Sequence, residues 1–339
     1  MTDPDSYLVR GAVPDDTYNL ALGEPRFLHK HLLFPVEPEV LVQSDYPPHK
    51  GSGRLLEELG WLYPGKHVVV ANGAKQALLA AFYAYKEMGR AGVKWSVYHE
   101  APHWPSYPTL AELSGVVFQS TPRLLIGQYE AITVKTLINN PDGRIIEPND
   151  IGNYDVLDCA YGHPVYGWNG LLPDHEVSVW SAAKLFGMSG DRIGWLVTGN
   201  KEIAELAASY IEKTTSGVNT RSQALTADVL QFVRENKELT DRWYRNARGD
   251  LLTNGTNMFD ALYGYCYHLH RSNRGMFSWF QVGSDLRDSF DAILKEAKVM
   301  LVPGKACGAT EDGWYRMSLG NTPEVTAAAL QSLSEVLGR

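Results

Sequence analysis

Short apolar runs closed by glycine or polar turns recur through the first two thirds of this chain, and helical spacing of apolar positions follows several of them. The runs at 67–71, 95–98, 115–119, 132–138, 154–157, 177–180 and 193–197 read as strands. Residues 74–91, rich in Ala, Leu, Phe and Tyr, read as a long helix. This alternation predicts a mostly parallel sheet flanked by helices. Past residue 200 the rhythm changes. Residues 201–213 and 223–248 read as two helices, the second linking a large lobe to a small one. Strands at 276–282, 300–303 and 314–319, with helices near 285–298 and 323–337, build the small lobe. The expected fold class is therefore α/β, with a mostly parallel central sheet in a large domain beside a smaller α/β lobe. No internal repeat, low-complexity tract or linker interrupts it.

Composition narrows the function classes. The chain has 339 residues, 44% hydrophobic and 21% charged, which is ordinary globular usage and enough length for one large core plus a lobe. Lys and Arg number 31 against 39 Asp and Glu, a net charge of −8, so no general attraction to nucleic acid or anionic membranes is expected. Three scattered cysteines, Cys159, Cys266 and Cys307, fit neither a disulfide framework nor a zinc site. With an acidic start and no run of membrane-span length, a cytoplasmic location is expected.

The densest chemistry lies in Ser181-Ala-Ala-Lys184-Leu-Phe-Gly187-Met-Ser-Gly190-Asp-Arg192-Ile-Gly194, between two buried-strand patterns. An amine there suits a Schiff base with an aldehyde cofactor. A hydroxyl one turn earlier, Ser181, and a permanently charged guanidinium, Arg192, suit that cofactor's phosphate. Glycines allow tight turns between them. Two competing motifs fail. His99-Glu-Ala-Pro102-His103 matches the zinc-protease string, but Pro102 breaks the helix that would put both imidazoles on one face, so no metal is expected. Ser181-x-x-Lys184 also occurs in penicillin-binding enzymes, yet no Ser-Asp-Asn element follows and Lys213-Thr-Thr215 matches only in part.

The Lys184 segment resembles the lysine signature of the fold-type I pyridoxal-phosphate-dependent aminotransferases, class I/II, and further motifs follow in family order. Asn140-Pro-Asp-Gly143 resembles the Asn-Pro-x-Gly turn, whose asparagine bonds the cofactor's ring oxygen. Asp158-Cys-Ala-Tyr161 resembles the Asp-x-x-Tyr motif, whose carboxylate pairs with the pyridine nitrogen while the tyrosine donates to the ring oxygen. The turn Gly73-Ala74-Lys75 opens a helix where the family cradles the phosphate, although a Ser or Thr is usual where Ala74 and Lys75 stand. Trp104 occupies the region of the ring-stacking aromatic. Gly23 and Arg316 match the segments that contact the substrate carboxylate, Arg316 as a bidentate fork. Tyr46, in Tyr-Pro-Pro-His-Lys-Gly51, matches a tyrosine that reaches the neighbouring subunit's phosphate, which implies a homodimer with shared active sites.

The resemblance also implies a large cofactor-binding domain over 35–235, and a small domain from 1–34 and 236–339. The expected reaction transfers an amino group between an amino acid and a 2-oxo acid through Lys184, with pyridoxal 5'-phosphate as cofactor. Decarboxylation or elimination on an amino acid or modified metabolite is the alternative.

Overall fold

The computed structural model describes residues 16–21, 23, 25–29, 46–89, 92–120, 129–146, 154–168, 172–173, 175–267, 269 and 274–338. A seven-stranded sheet forms its centre. In order across the sheet the strands are His67–Ala71, Gly194–Thr198, His175–Ser181, Tyr154–Asp158, Glu130–Thr136, Trp95–Tyr98 and Val117–Gln119. Gly194–Thr198 runs antiparallel to both its neighbours, and every other pairing is parallel. Strands enclosed on both faces should be apolar throughout, and Gly194–Thr198 is buried at every position. The flanking helix Gly73–Met88 packs on this sheet through Ala77, Leu78, Ala81 and Phe82, all fully buried.

The smaller sheet has four strands, in the order Val302–Pro303, Trp314–Ser318, Phe277–Val282 and Cys266–Tyr267, all antiparallel. A short parallel pair, Tyr18–Asn19 with Val299–Met300, ties the N-terminal segment to this lobe. Thr322 caps the closing helix Pro323–Leu337, where Pro323 sits in a first turn that needs no N–H from it.

One expected element divides. The pattern over 223–248 forms parts of two helices, Thr220–Glu235 and Lys237–Leu262. Asn236 adopts φ −120° and ψ 53° between them, and its side-chain amide donates to the Phe232 carbonyl at 3.1 Å. An asparagine that bonds nearby backbone in this way competes with continued helix, although the apolar spacing runs on past it. Among the described residues no helix is long and apolar enough to cross a membrane.

Candidate active site

Parallel sheets gather functional groups at the carboxyl ends of their strands, where loops diverge. That edge carries Thr136 at the end of one strand with Asn140 beyond it, Asp158 at the end of the next with Tyr161 beyond it, and Ser181 at the end of the third with Lys184 beyond it. Gly194 begins the antiparallel strand at the same edge, level with Ala71 on one side and Ser181 on the other. A Cβ on Gly194 would lie 2.6 Å from the Trp180 carbonyl oxygen and 2.7 Å from the Ala74 nitrogen. Glycine therefore lets the turn into helix Gly73–Met88 press against the Lys184 segment.

These groups surround a cavity of about 420 Å³. Lys184 follows Ser181 by one turn of the short helix Ala182–Leu185, and its Nζ donates to the Gly23 carbonyl at 2.5 Å. Tyr166 fixes the backbone there by donating to the Lys184 carbonyl at 2.7 Å. Asp158 is 4% exposed; its Oδ1 accepts from the Ala160 N–H at 3.0 Å and its Oδ2 shares a 2.8 Å hydrogen bond with the Tyr107 hydroxyl. Burial raises the Asp158 pKa, opposed by the Ala160 N–H, the Tyr107 hydroxyl and the nearby Lys184 charge. Tyr161 is buried too, and desolvation lifts its phenol well above the usual value despite the Arg316 charge and a hydrogen bond with Asn140.

At the other end, Arg192 holds φ at 54°, a left-handed conformation rarely taken by residues with a side chain, and its Nη1 donates to the Ser189 carbonyl at 3.0 Å. Gly73, at φ 77°, leaves room beside it: a Cβ there would sit 2.6 Å from Arg192 Nη2. The Ser189 Oγ, on the cavity wall, is buried without a hydrogen-bond partner among the described residues. The Lys75 ammonium lies 5.5 Å from the Trp104 ring centroid. Trp104 itself meets Tyr107 edge-on at 5.4 Å.

Arg316, on strand Trp314–Ser318, is 1% exposed. Nη1 donates to Asn140 Oδ1 at 2.9 Å, Nη2 donates to the Ala21 carbonyl at 2.8 Å, and the guanidinium carbon stands 4.4 Å from the Phe277 centroid. Its Nε has no hydrogen-bond partner among the described residues. A buried cation held by neutral acceptors is poised for an anion.

The cavity thus brings together Gly23, Ala74, Lys75, Trp104, Asn140, Asp158, Tyr161, Ser181, Lys184, Arg192 and Arg316, with Gly73 immediately behind Arg192. Tyr46 does not join them. It is 86% exposed and borders a separate depression with Pro47 and residues 215–220. Sequence reasoning missed Tyr107, Thr136, Ser189 and Phe277. Thr136 carried a signal: with Ile132 and Val134 it completes the buried face of its strand, a polar residue in an apolar register. Residues 99–106 form no helix, and Ala101–Pro102 is cis, so His99 and His103 do not share a helical face.

Comparison with known proteins agrees with this geometry. The profile describing aminotransferase class I and II matches residues 16–333. The chain is 24% identical over 299 residues to tryptophan aminotransferase-related protein 1 of Oryza sativa subsp. japonica, covering 80% of this chain and 67% of that protein. It spans about two thirds or less of the length of the plant relatives it matches. Against the aspartate/prephenate aminotransferase of Thermus thermophilus it is 27% identical over 370 residues, covering 96% of this chain and 92% of the relative. The solved Thermus thermophilus aspartate aminotransferase with maleate superposes with a TM-score of 0.78 at 23% identity, covering 99% and 97% of the two chains. Its likeness extends the fold-type I architecture to this chain. With a family match running through both sheets and the cavity between them, the chain belongs to the class I and II aminotransferases.

Proposed function

We propose that this chain is a pyridoxal-phosphate-dependent aminotransferase moving an amino group between an amino acid and a 2-oxo acid, with Lys184 holding the cofactor's aldehyde. One observation carries the reading: the Lys184 amine, the Asp158 carboxyl group and two guanidinium groups, Arg192 and Arg316, all line one cavity. The cavity's chemistry suits the group. Its phosphate end offers Arg192, the unpartnered Ser189 hydroxyl, Ser181 and the first amides of helix Gly73–Met88, with Lys75 as a further cation. Asp158 would face the ring nitrogen, Trp104 would cover the ring, and Asn140 and Tyr161 would bond its oxygen.

Bound there, pyridoxal phosphate supplies an aldehyde that takes up amines and a conjugated ring that withdraws electrons from the substrate's alpha carbon. The residues do the rest. Arg316 and Gly23 hold the substrate carboxylate, so that the alpha carbon is presented to Lys184. The Lys184 Nζ would then serve as the general base that takes up and gives back the alpha proton. Tyr161 stays protonated, because burial holds its phenol far above neutral pH, and so acts as a donor. Trp104 and Phe277 keep the walls apolar and exclude water.

The same reading divides the chain into a large cofactor-binding domain over 35–235 and a small one from 1–34 and 236–339, in a cytoplasmic homodimer. Tyr46, turned away from its own cavity, is then free to serve the partner's phosphate. Purified protein mixed with pyridoxal phosphate, an amino acid and a 2-oxo acid tests the proposal. Lys184→Ala is expected to lose both the absorbance of lysine-bound cofactor and amino transfer. Unchanged turnover would overturn the reading, and carbon dioxide release without keto-acid formation would replace transfer by decarboxylation.

A further inference from the structure

Behind Asp158 runs an unbroken line of hydrogen bonds. The Tyr107 hydroxyl lies 2.8 Å from Asp158 Oδ2 and 2.8 Å from Thr136 Oγ1; Thr136 Oγ1 lies 3.0 Å from His99 Nε2; His99 Nδ1 lies 2.8 Å from the Glu100 carbonyl oxygen. Tyr107 is fully buried, Thr136 is 4% exposed and His99 is 3% exposed. Thr136 borders both the main cavity and a smaller polar one lined by His99, Glu100, Lys135 and Arg144.

The line can be counted in hydrogens. It contains four donor–acceptor gaps, and the Glu100 carbonyl only accepts, so His99 Nδ1 carries a hydrogen. With Asp158 ionised and His99 neutral, Tyr107, Thr136 and His99 supply one hydrogen each. One gap would then hold two facing lone pairs in a dry interior. A fourth hydrogen fills the line in only two ways. In the first, Asp158 is protonated and donates to Tyr107, Tyr107 to Thr136, and Thr136 to His99 Nε2. In the second, His99 is an imidazolium that donates to Thr136, Thr136 to Tyr107, and Tyr107 to the Asp158 carboxylate. The two forms differ by a concerted shift of three protons, with no bond made or broken elsewhere.

We propose that Asp158, Tyr107, Thr136 and His99 share one mobile proton, that it rests on Asp158 before cofactor binds, and that His99 positions it there for the cofactor's ring nitrogen. The significance for the ring nitrogen rests on the proposed function; the shared proton does not. The surroundings choose between the two forms. Lys135, Arg144 and His103 face His99 and oppose a charge on it, with Glu100 paired to Lys135 at 3.5 Å, and burial holds its pKa down at about 3. Around Asp158, burial raises its pKa against the Ala160 N–H, the Tyr107 hydroxyl and the Lys184 charge. Both ends therefore favour the neutral form. His99, beside the polar cavity, is where a proton passed to a bound ring would be replaced.

Cofactor-free protein provides the test, so a failed relay and a failed aminotransferase reading remain distinguishable. Infrared difference spectra between wild type and Asp158→Asn at neutral pH are expected to show one protonated carboxylic acid in wild type alone. Thr136→Val should shift that band and Thr136→Ser should restore it. Nitrogen NMR should find His99 with Nδ1 protonated and Nε2 bare. Absence of the acid band, a band indifferent to Thr136→Val, or a protonated Nε2 would each overturn the proposal.

Discussion

Replacing Arg316 by Met separates what the guanidinium does for the fold from the substrate role proposed for it. Among the described residues it makes two hydrogen bonds, to Asn140 and to the Ala21 carbonyl, and its Nε has no partner, at 1% exposure. Charged hydrogen bonds contribute about 1.5–3 kcal/mol each, so their loss costs about 3–6 kcal/mol. Against this stands the burial of a cation among neutral partners, a penalty of several kcal/mol that Met removes while filling similar space over Phe277. The two effects nearly cancel, and Arg316→Met should change unfolding free energy by less than about 2 kcal/mol. Substrate binding has no such offset. Loss of a buried partner for a carboxylate costs about 2–5 kcal/mol, which at 1.4 kcal/mol per decade lowers kcat/KM roughly 30-fold to several thousand-fold. Chemical denaturation and steady-state kinetics on amino acids, with a matched amine lacking the carboxylate as control, measure both quantities. A variant that unfolds, or one that keeps its kcat/KM, would refute the reasoning; so would an equal loss on the amine.

Gly194→Ala forces a methyl against backbone atoms of Trp180 and Ala74, neither of which can rotate away. It should destabilise the protein by about 1–3 kcal/mol and weaken cofactor binding, read by thermal unfolding with and without pyridoxal phosphate; an unchanged melting temperature would contradict the close approach. His163 accepts the Val165 N–H on Nδ1 at 3.2 Å and packs on the Tyr244 ring, with burial lowering its pKa to about 4. Since the unfolded state takes up a proton near pH 6.5 and the folded state does not, stability is full above that pH. It falls between about 6.5 and 4, by at most about 1.4 kcal/mol per pH unit for this group. His163→Asn keeps the cap acceptor and should flatten that slope by one proton; an unaltered slope would exclude His163.

How legible the site was depends on what each residue had to reveal. Lys184, Asp158 and Asn140 lie close to strand ends, where an apolar run followed by a polar group marks the place in sequence, whereas Arg316 stands in the middle of its strand. The strand Trp95–Tyr98 was readable to the residue, because Tyr-His-Glu ends its apolar run. Tyr107 was hidden. Prolines at 105 and 108 flank it, yet the helix Tyr107–Leu113 starts there, with Pro108 in a first turn where a missing N–H costs nothing. The division at Asn236 escaped notice because apolar spacing persists on both sides and only the asparagine's local bond ends the helix. The positive φ of Arg192 was invisible as well, since the neighbouring glycines seemed to account for the turn.

Lys184 bonds to Gly23, 161 residues earlier, and Arg316 bonds to Ala21, 295 residues earlier. Contacts between segments so far apart in sequence close large loops and form late in folding. The segment around Ala21 and Gly23 is thus a shared seat for both side chains, and its removal is expected to unseat the amine and the guanidinium together.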